Sequence, residues 1–354
     1  MTSEYVTFGL TPAVRAGDVL ADGTYQTHRD FLDFLVAGSP LLPRLADLDV
    51  VSPLACDLDP AVFTDQVRGL LLETDAPLDG GRFVLYGCPE CEGPAGEGLA
   101  CGAVTAVVER DGPDVVWRDF VWQTDPGTPD LARDGFPGVG PYRFHGDQYR
   151  TELKWLLTDD GGPDARPAPR ALLIGHRVAV LAKLAAALRR IGIGAEITLD
   201  AAGAHPEELR KYGVVVFGRT VGRDERDAVR DACAAARADV VFVTGHVPVV
   251  PLLVAQVEQA LDRTPFDRRR LLGLRASGTA AVVDVASPCR VRLAVHRLDR
   301  FSRPRSHEVF DGQLEPGTHR LVLDARAVRG EAYVVARTRD AVLTAPADGP
   351  ADLV

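Results

Sequence analysis

Between Arg170 and Asp262 the chain alternates in a way that few folds accommodate. Ala171–Ile174, Glu196–Leu199, Val214–Phe217 and Val240–Val243 are short, largely apolar runs. Each precedes a stretch with apolar groups three and four residues apart, such as Val178, Leu181, Leu184 and Leu188, or Leu253, Val254, Val257 and Leu261. A strand that is apolar on both faces must be covered on both, and parallel neighbours joined through helices take right-handed crossovers. The pattern therefore predicts a doubly wound parallel sheet of about four strands over residues 170–264, Rossmann-like or flavodoxin-like, with strand order 2-1-3-4.

A chain of 354 residues exceeds one ordinary core, so flanking modules are expected. Residues 1–158 mix helix and strand signals and read as an α+β domain. Segments 28–37 and 60–73 carry helical spacing, the second opened by Asp59-Pro60, a favourable cap and first-turn pair. Arg82–Gly87, Ala103–Arg110 and Val115–Gln123 are β-branched and aromatic, and the turn Asp111-Gly112-Pro113-Asp114 joins the last two into a meander. A helix over about Gly146 to Leu157 closes the unit, and Trp117, Trp122 and Trp155 read as core.

The stretch 159–169, rich in proline, glycine and aspartate, reads as a linker. Residues 265–345 hold five to seven short strands and read as a β-sandwich, with Arg290 and Arg292 on a wet face and Val291, Leu293 and Val295 on a dry one. Residues 346–354 read as a flexible tail.

No run of about 18 apolar residues exists, and the first residues lack the basic-then-apolar layout of an export signal, so the expectation is a cytoplasmic protein without a membrane partner. Residues 1–160 carry 11 basic and 27 acidic side chains, a net of −16, and the remainder carries 29 and 23, a net of +6. Phosphates would be repelled by the first half, which argues against a nucleic-acid groove there. The expected partner is a small anionic molecule or another protein.

Six cysteines without an export signal do not suggest a disulfide framework. Cys88, Cys91 and Cys101 cluster in the sequence, and two thiolates at CxxC spacing can converge on one zinc ion. Cys56 and His145 are the candidates for a fourth ligand, and a dithiol redox pair of Cys88 and Cys91 is the alternative. Around this cluster, Cys88-Pro89-Glu90-Cys91, Cys101-Gly102-Ala103, the run VVWRDFVWQ and Gly140-Pro141-Tyr142-Arg143-Phe144 resemble a group of uncharacterised actinobacterial proteins, some generically labelled oxidoreductase. The resemblance spans residues 86–149 and implies no established activity or catalytic residue.

The second candidate site lies at the carboxyl ends of the parallel strands, where doubly wound sheets bind ligands. Gly175, His176 and Arg177 follow the first strand, Asp200 the second, Gly218, Arg219 and Thr220 the third, and Thr244, Gly245 and His246 the fourth. Glycines admit close backbone approach, helix amino ends supply N–H donors, and the arginines suit phosphate or carboxylate. Asp200 is placed to hold ribose hydroxyls. The first turn has one glycine rather than the G-x-G-x-x-G fingerprint, and the aspartates of a phosphoreceiver and the P-loop are missing.

The leading expectation is a Rossmann-like centre that binds a small anionic ligand or nucleotide, or is a non-catalytic relic of one. One alternative is an NAD(P)- or flavin-dependent oxidoreductase with His176 or His246 as proton donor or acceptor. The other is a zinc-stabilised interaction or immunity-type adaptor. Sequence leaves open whether the chain is an enzyme.

Overall fold

Arg170–Ile174 (β7 below) is buried at nearly every position, and such a strand needs a neighbour on each edge and cover on each face. The computed structural model describes residues 4–20, 24–56, 58–88, 99–158, 169–199, 201–245 and 247–348. Cys91, Asp200, His246, most of the 159–169 stretch and residues 349–354 lie outside them. The described chain forms two compact units. Residues up to Arg15 and from Arg29 to Thr158 make one, and Ala16–His28 with residues from Pro169 onward make the other.

In the first unit β1 (Phe8–Arg15) pairs antiparallel with β2 (Arg29–Val36), from Phe8↔Val36 to Arg15↔Arg29. The helical spacing read in 28–37 is overturned here. Phe31, Leu32, Asp33, Phe34 and Val36 are buried, so both faces of the segment are covered and it takes the ladder that β1 offers. Helix α1 (Pro60–Leu70) starts as expected, with the Asp59 carboxylate accepting from the Ala61 N–H at 2.8 Å.

A four-strand antiparallel sheet follows, β3 (Arg82–Gly87), β4 (Ala103–Asp111), β5 (Asp114–Gln123) and β6 (Tyr142–Phe144) in that spatial order, and α2 (Gly146–Trp155) ends the unit. Trp117 centres the core, its ring 5.1 Å from Phe34, 5.5 Å from Phe144 and 5.7 Å from Phe8, each near edge-to-face. Trp155 is not core: it ends α2 and is 55% exposed.

The second unit opens, after Pro169, with β7 (Arg170–Ile174), α3 (Val178–Arg190), β8 (Gly194–Thr198), α4 (Pro206–Leu209), β9 (Val214–Phe217), α5 (Arg223–Ala235), β10 (Val241–Thr244) and α6 (Val250–Leu261). The strands are all parallel in the order β8-β7-β9-β10, which is 2-1-3-4. Leu181, Leu184 and Leu188 of α3 pack with Val254 and Val257 of α6 on one face, and Leu209, Val229 and Cys233 pack with Leu172 and Phe217 on the other.

Seven strands follow: β11 (Leu271–Ser277), β12 (Ala280–Val285), β13 (Cys289–Leu298), β14 (Pro304–Leu314), β15 (Gly317–Val322), β16 (Ala332–Arg337) and β17 (Val342–Asp348). Two packed sheets were expected. Instead one curled sheet has the order β14-β13-β16-β17-β11-β12-β15, because β17 pairs antiparallel with β16 and parallel with β11 and so joins the two halves. Val283, Val291, Leu293 and Val334 share the core inside the curl. Residues 346–348, expected in the tail, complete β17.

The segment Ala16–His28 belongs to this unit through charge. A short antiparallel ladder, Asp18–Val19 with Tyr25–Gln26, shapes it. Glu258 of α6 accepts from the Gly17 N–H at 3.0 Å, lies 2.8 Å from His28 Nδ1 and pairs with Arg337 at 3.3 Å, while Asp18 pairs with Arg337 at 3.2 Å and with Arg292. Asp18, His28, Glu258 and Arg337 are buried. A buried charge is tolerable only when paired and hydrogen-bonded, so these contacts fix the segment in place.

Candidate functional site

Registers Ile174↔Phe217, Phe217↔Thr244 and Ile174↔Thr198 end the four parallel strands level with one another. Gly175, Gly218 and Gly245 therefore fall in one row. The Gly218 N–H donates to the Ile174 carbonyl at 2.7 Å and the Gly245 N–H to the Phe217 carbonyl at 2.8 Å, which carries the ladder one step past the strands. A Cβ on Gly175 would stand 3.4 Å from the Gly218 Cα. The β7–α3 and β9–α5 turns thus meet backbone to backbone at the point where the strand order reverses.

Side chains cross the same gap. His176 Nε2 lies 3.7 Å from Glu225 Oε2 in the first turn of α5, with the imidazole 58% exposed. Arg177 is the N-cap residue of α3 and is exposed, as is Val178. No side chain caps that helix and its first turn holds no acid, so its N–H groups and positive end face the rim uncompensated. Helix α5 also lacks a side-chain cap, but Asp224 and Glu225 already offset its dipole. An anion is therefore favoured at the amino end of α3 rather than that of α5.

The other rim residues are placed as follows. Thr220 and Thr244 are exposed beside the row of glycines. Arg219 pairs through Nη1 with Glu331 at 2.9 Å, so its charge is shared with the turn before β16. Sequence gave no sign of that partner, which lies 112 residues away.

Two clefts beside edge strand β8 were also not anticipated. One, of about 450 Å³, has Leu172, Leu209 and Ala204 among its apolar walls and Thr198, Glu208 and Tyr212 among its polar ones. The second, of about 220 Å³, adjoins it and adds Arg170, His205 and Lys211. Glu196 stands between them, held by Arg170 and by the Tyr212 hydroxyl. Those donors hold the Glu196 carboxyl below its usual range, the Tyr212 bond foremost.

In the first unit Gly87 pairs with Ala103, which puts Cys88 and Cys101 at the two ends of the loop that joins β3 to β4. Cys88 is half-buried and Cys101 exposed. Among the described residues no three His, Cys, Asp or Glu side chains are grouped to hold a metal. Of the suggested fourth ligands, His145 stacks on Tyr5 with ring centroids 3.8 Å apart, and the Cys56 N–H donates to the Asp30 carbonyl. Among the described residues, the histidines of the strand-rich region are structural or exposed. His296 is buried against Ser306, His307 is exposed and His319 contacts the Glu315 carbonyl. No helix among the described residues is long and apolar enough to cross a membrane. Compared with known proteins, the chain matches no family model, no curated protein and no solved structure.

Proposed function

We propose that this chain binds a small anionic ligand at the carboxyl rim of its parallel sheet, with the phosphate or carboxylate seated on the amino end of α3 between His176 and Arg177. The observation that carries the reading is the uncapped, acid-free first turn of α3, set beside the close backbone approach of Gly175 and Gly218. In this reading the parallel sheet is the ligand-binding module and the curled sheet a second module of a multi-domain cytoplasmic protein. An NAD(P) or flavin oxidoreductase would be a special case, since those cofactors present the same phosphate.

Calorimetric titration with inorganic phosphate tests the site. Binding is expected in the wild type, and Arg177→Ala should weaken it by about 1–3 kcal/mol, the range for losing a hydrogen bond to a charged group. A flat titration at millimolar phosphate, or equal affinity in the variant, would sink the reading.

A second reading, a zinc-stabilised adaptor, is favoured by the placement of Cys88 and Cys101 at the ends of one loop that also contains Cys91 in the sequence. It predicts about one zinc per chain by elemental analysis and loss of that metal in Cys88→Ser. Purified protein free of zinc, or metal retained in the variant, would remove it.

A further inference from the structure

We propose that the tip of the β13–β14 hairpin, residues 298–305, is an interaction surface that takes the acidic loop 125–134 of a second copy of this chain. β14 is an edge strand of the curled sheet, and residues 301–308 are exposed at every position, so the hairpin end stands clear of the core that the rest of the sheet encloses. Phe301 is 64% exposed. The guanidinium of Arg300 lies 4.7 Å from the centre of that ring and that of Arg303 5.8 Å, and neither arginine pairs with a carboxylate among the described residues.

Asp299 fixes the shape of the tip. Its Oδ1 accepts from the Phe301 N–H at 2.9 Å and the Arg303 N–H at 3.0 Å, its Oδ2 accepts from Arg305 Nε at 3.2 Å, and its own N–H donates to the Arg303 carbonyl at 2.9 Å. A surface ordered in advance loses little further conformational entropy when it binds. An aromatic ring flanked by arginines also has the composition that carries most of the binding energy in protein interfaces.

Charge selects the occupant. Two guanidiniums beside an exposed ring are matched by carboxylates beside an exposed apolar side chain, and loop 125–134 of the first unit offers that set. Asp125 and Asp130 are exposed, and Leu131 is 45% exposed. The two carboxylates accept only N–H groups of their own loop, from Gly127 and from Ala132 and Arg133, and neither forms an ion pair among the described residues. Residues 1–160 carry a net −16 and the remainder +6, so the field of each copy steers its acidic half towards the basic half of another. A two-fold pair would make the contact twice. The tip offers less to a nucleic acid, because the whole chain carries −10 and the tip has a single ring for stacking.

Sedimentation velocity of the full chain at about 20 mM and about 500 mM salt tests the contact, since screening weakens exposed charge pairs. The wild type is expected to self-associate at the lower salt and to dissociate at the higher. Arg300→Glu with Arg303→Glu should be monomeric at both, as should Asp125→Arg with Asp130→Arg. Mixed in equal amounts, these two variants carry complementary charges again and should re-form the assembly. Phe301→Ser should weaken association about tenfold, and it keeps the test decisive if a charge reversal disturbs the fold, which melting curves report. A wild type that stays monomeric at the lower salt overturns the proposal, and so does a tip variant that associates like the wild type. Folded charge-reversed variants that stay apart when mixed overturn it too, because the loop is then not the partner. A monomeric wild type that binds a DNA oligonucleotide through Arg300 and Arg303 would assign the tip to nucleic acid instead.

Discussion

His296 shows how one side chain in this protein couples stability to pH. It is 6% exposed, its Nδ1 lies 2.8 Å from Ser306 Oγ, and burial, reinforced by the nearby Arg337 charge, pulls its imidazole down to about 4. In the unfolded chain the same group titrates near 6.5. Above that pH both states are neutral and the group contributes no slope. Between pH 6.5 and 4 only the unfolded chain takes up the proton, so stability falls as pH falls, by about 3 kcal/mol in all at 1.36 kcal/mol per pKa unit. Urea unfolding of the wild type and His296→Gln at pH 7.5 and 4.5 checks this. The wild type should lose about 2.5 kcal/mol more than the variant over that interval, and parallel losses would refute it.

At the scale of elements, the β3–β4 hairpin depends on one glycine. Gly102 has φ +89°, and a Cβ there would lie 2.1 Å from the Trp122 ring. Both the backbone and the space therefore require glycine beside Cys101. Gly102→Ala should destabilise the first unit by about 2–5 kcal/mol, combining left-handed strain with overpacking. The readout is the denaturant midpoint of tryptophan fluorescence, and an unshifted midpoint would contradict the packing described.

Some elements were readable and others were not, for reasons of the same kind. The strands β7 and β9 declare themselves because Ala171–Ile174 and Val214–Phe217 are apolar at every position, which only a strand covered on both faces tolerates. Segment 28–37 misleads because Phe31, Phe34 and Leu35 match helical spacing, and only the presence of β1 alongside decides for a strand. The C-terminal region was legible as five to seven short strands, but the pairing of β17 with β11, which unites the halves into one sheet, joins residues about 70 apart and leaves no local trace.

For the whole molecule, the sharpest consequence concerns where one unit ends. A fragment cut at the proline-rich stretch, residues 169–348, would contain the parallel and curled sheets but not Ala16–His28. Glu258 and Arg337 would then keep each other but lose Gly17, His28 and Asp18 as partners. Breaking a buried ion network costs about 3–5 kcal/mol, and about 2–4 °C of melting temperature goes with each kcal/mol at this size. The fragment should therefore melt about 6–20 °C below the same unit in the full chain, and a synthetic peptide of residues 16–28 should restore part of the difference. Equal melting with and without the peptide would show that the network is dispensable.

By itself the sequence determined the parallel sheet, its strand order and the gathering of His176, Arg177, Gly175, Gly218 and Gly245 at one rim, because hydrophobic period and chain handedness are local properties that a short window carries. Tertiary structure alone decided that Arg219 is engaged by Glu331, that residues 16–28 serve the distant unit, and that clefts flank β8. The first two depend on partners more than 100 residues apart in the chain, and the clefts on how a strand, a loop and a short helix pack, none of which a local sequence window carries.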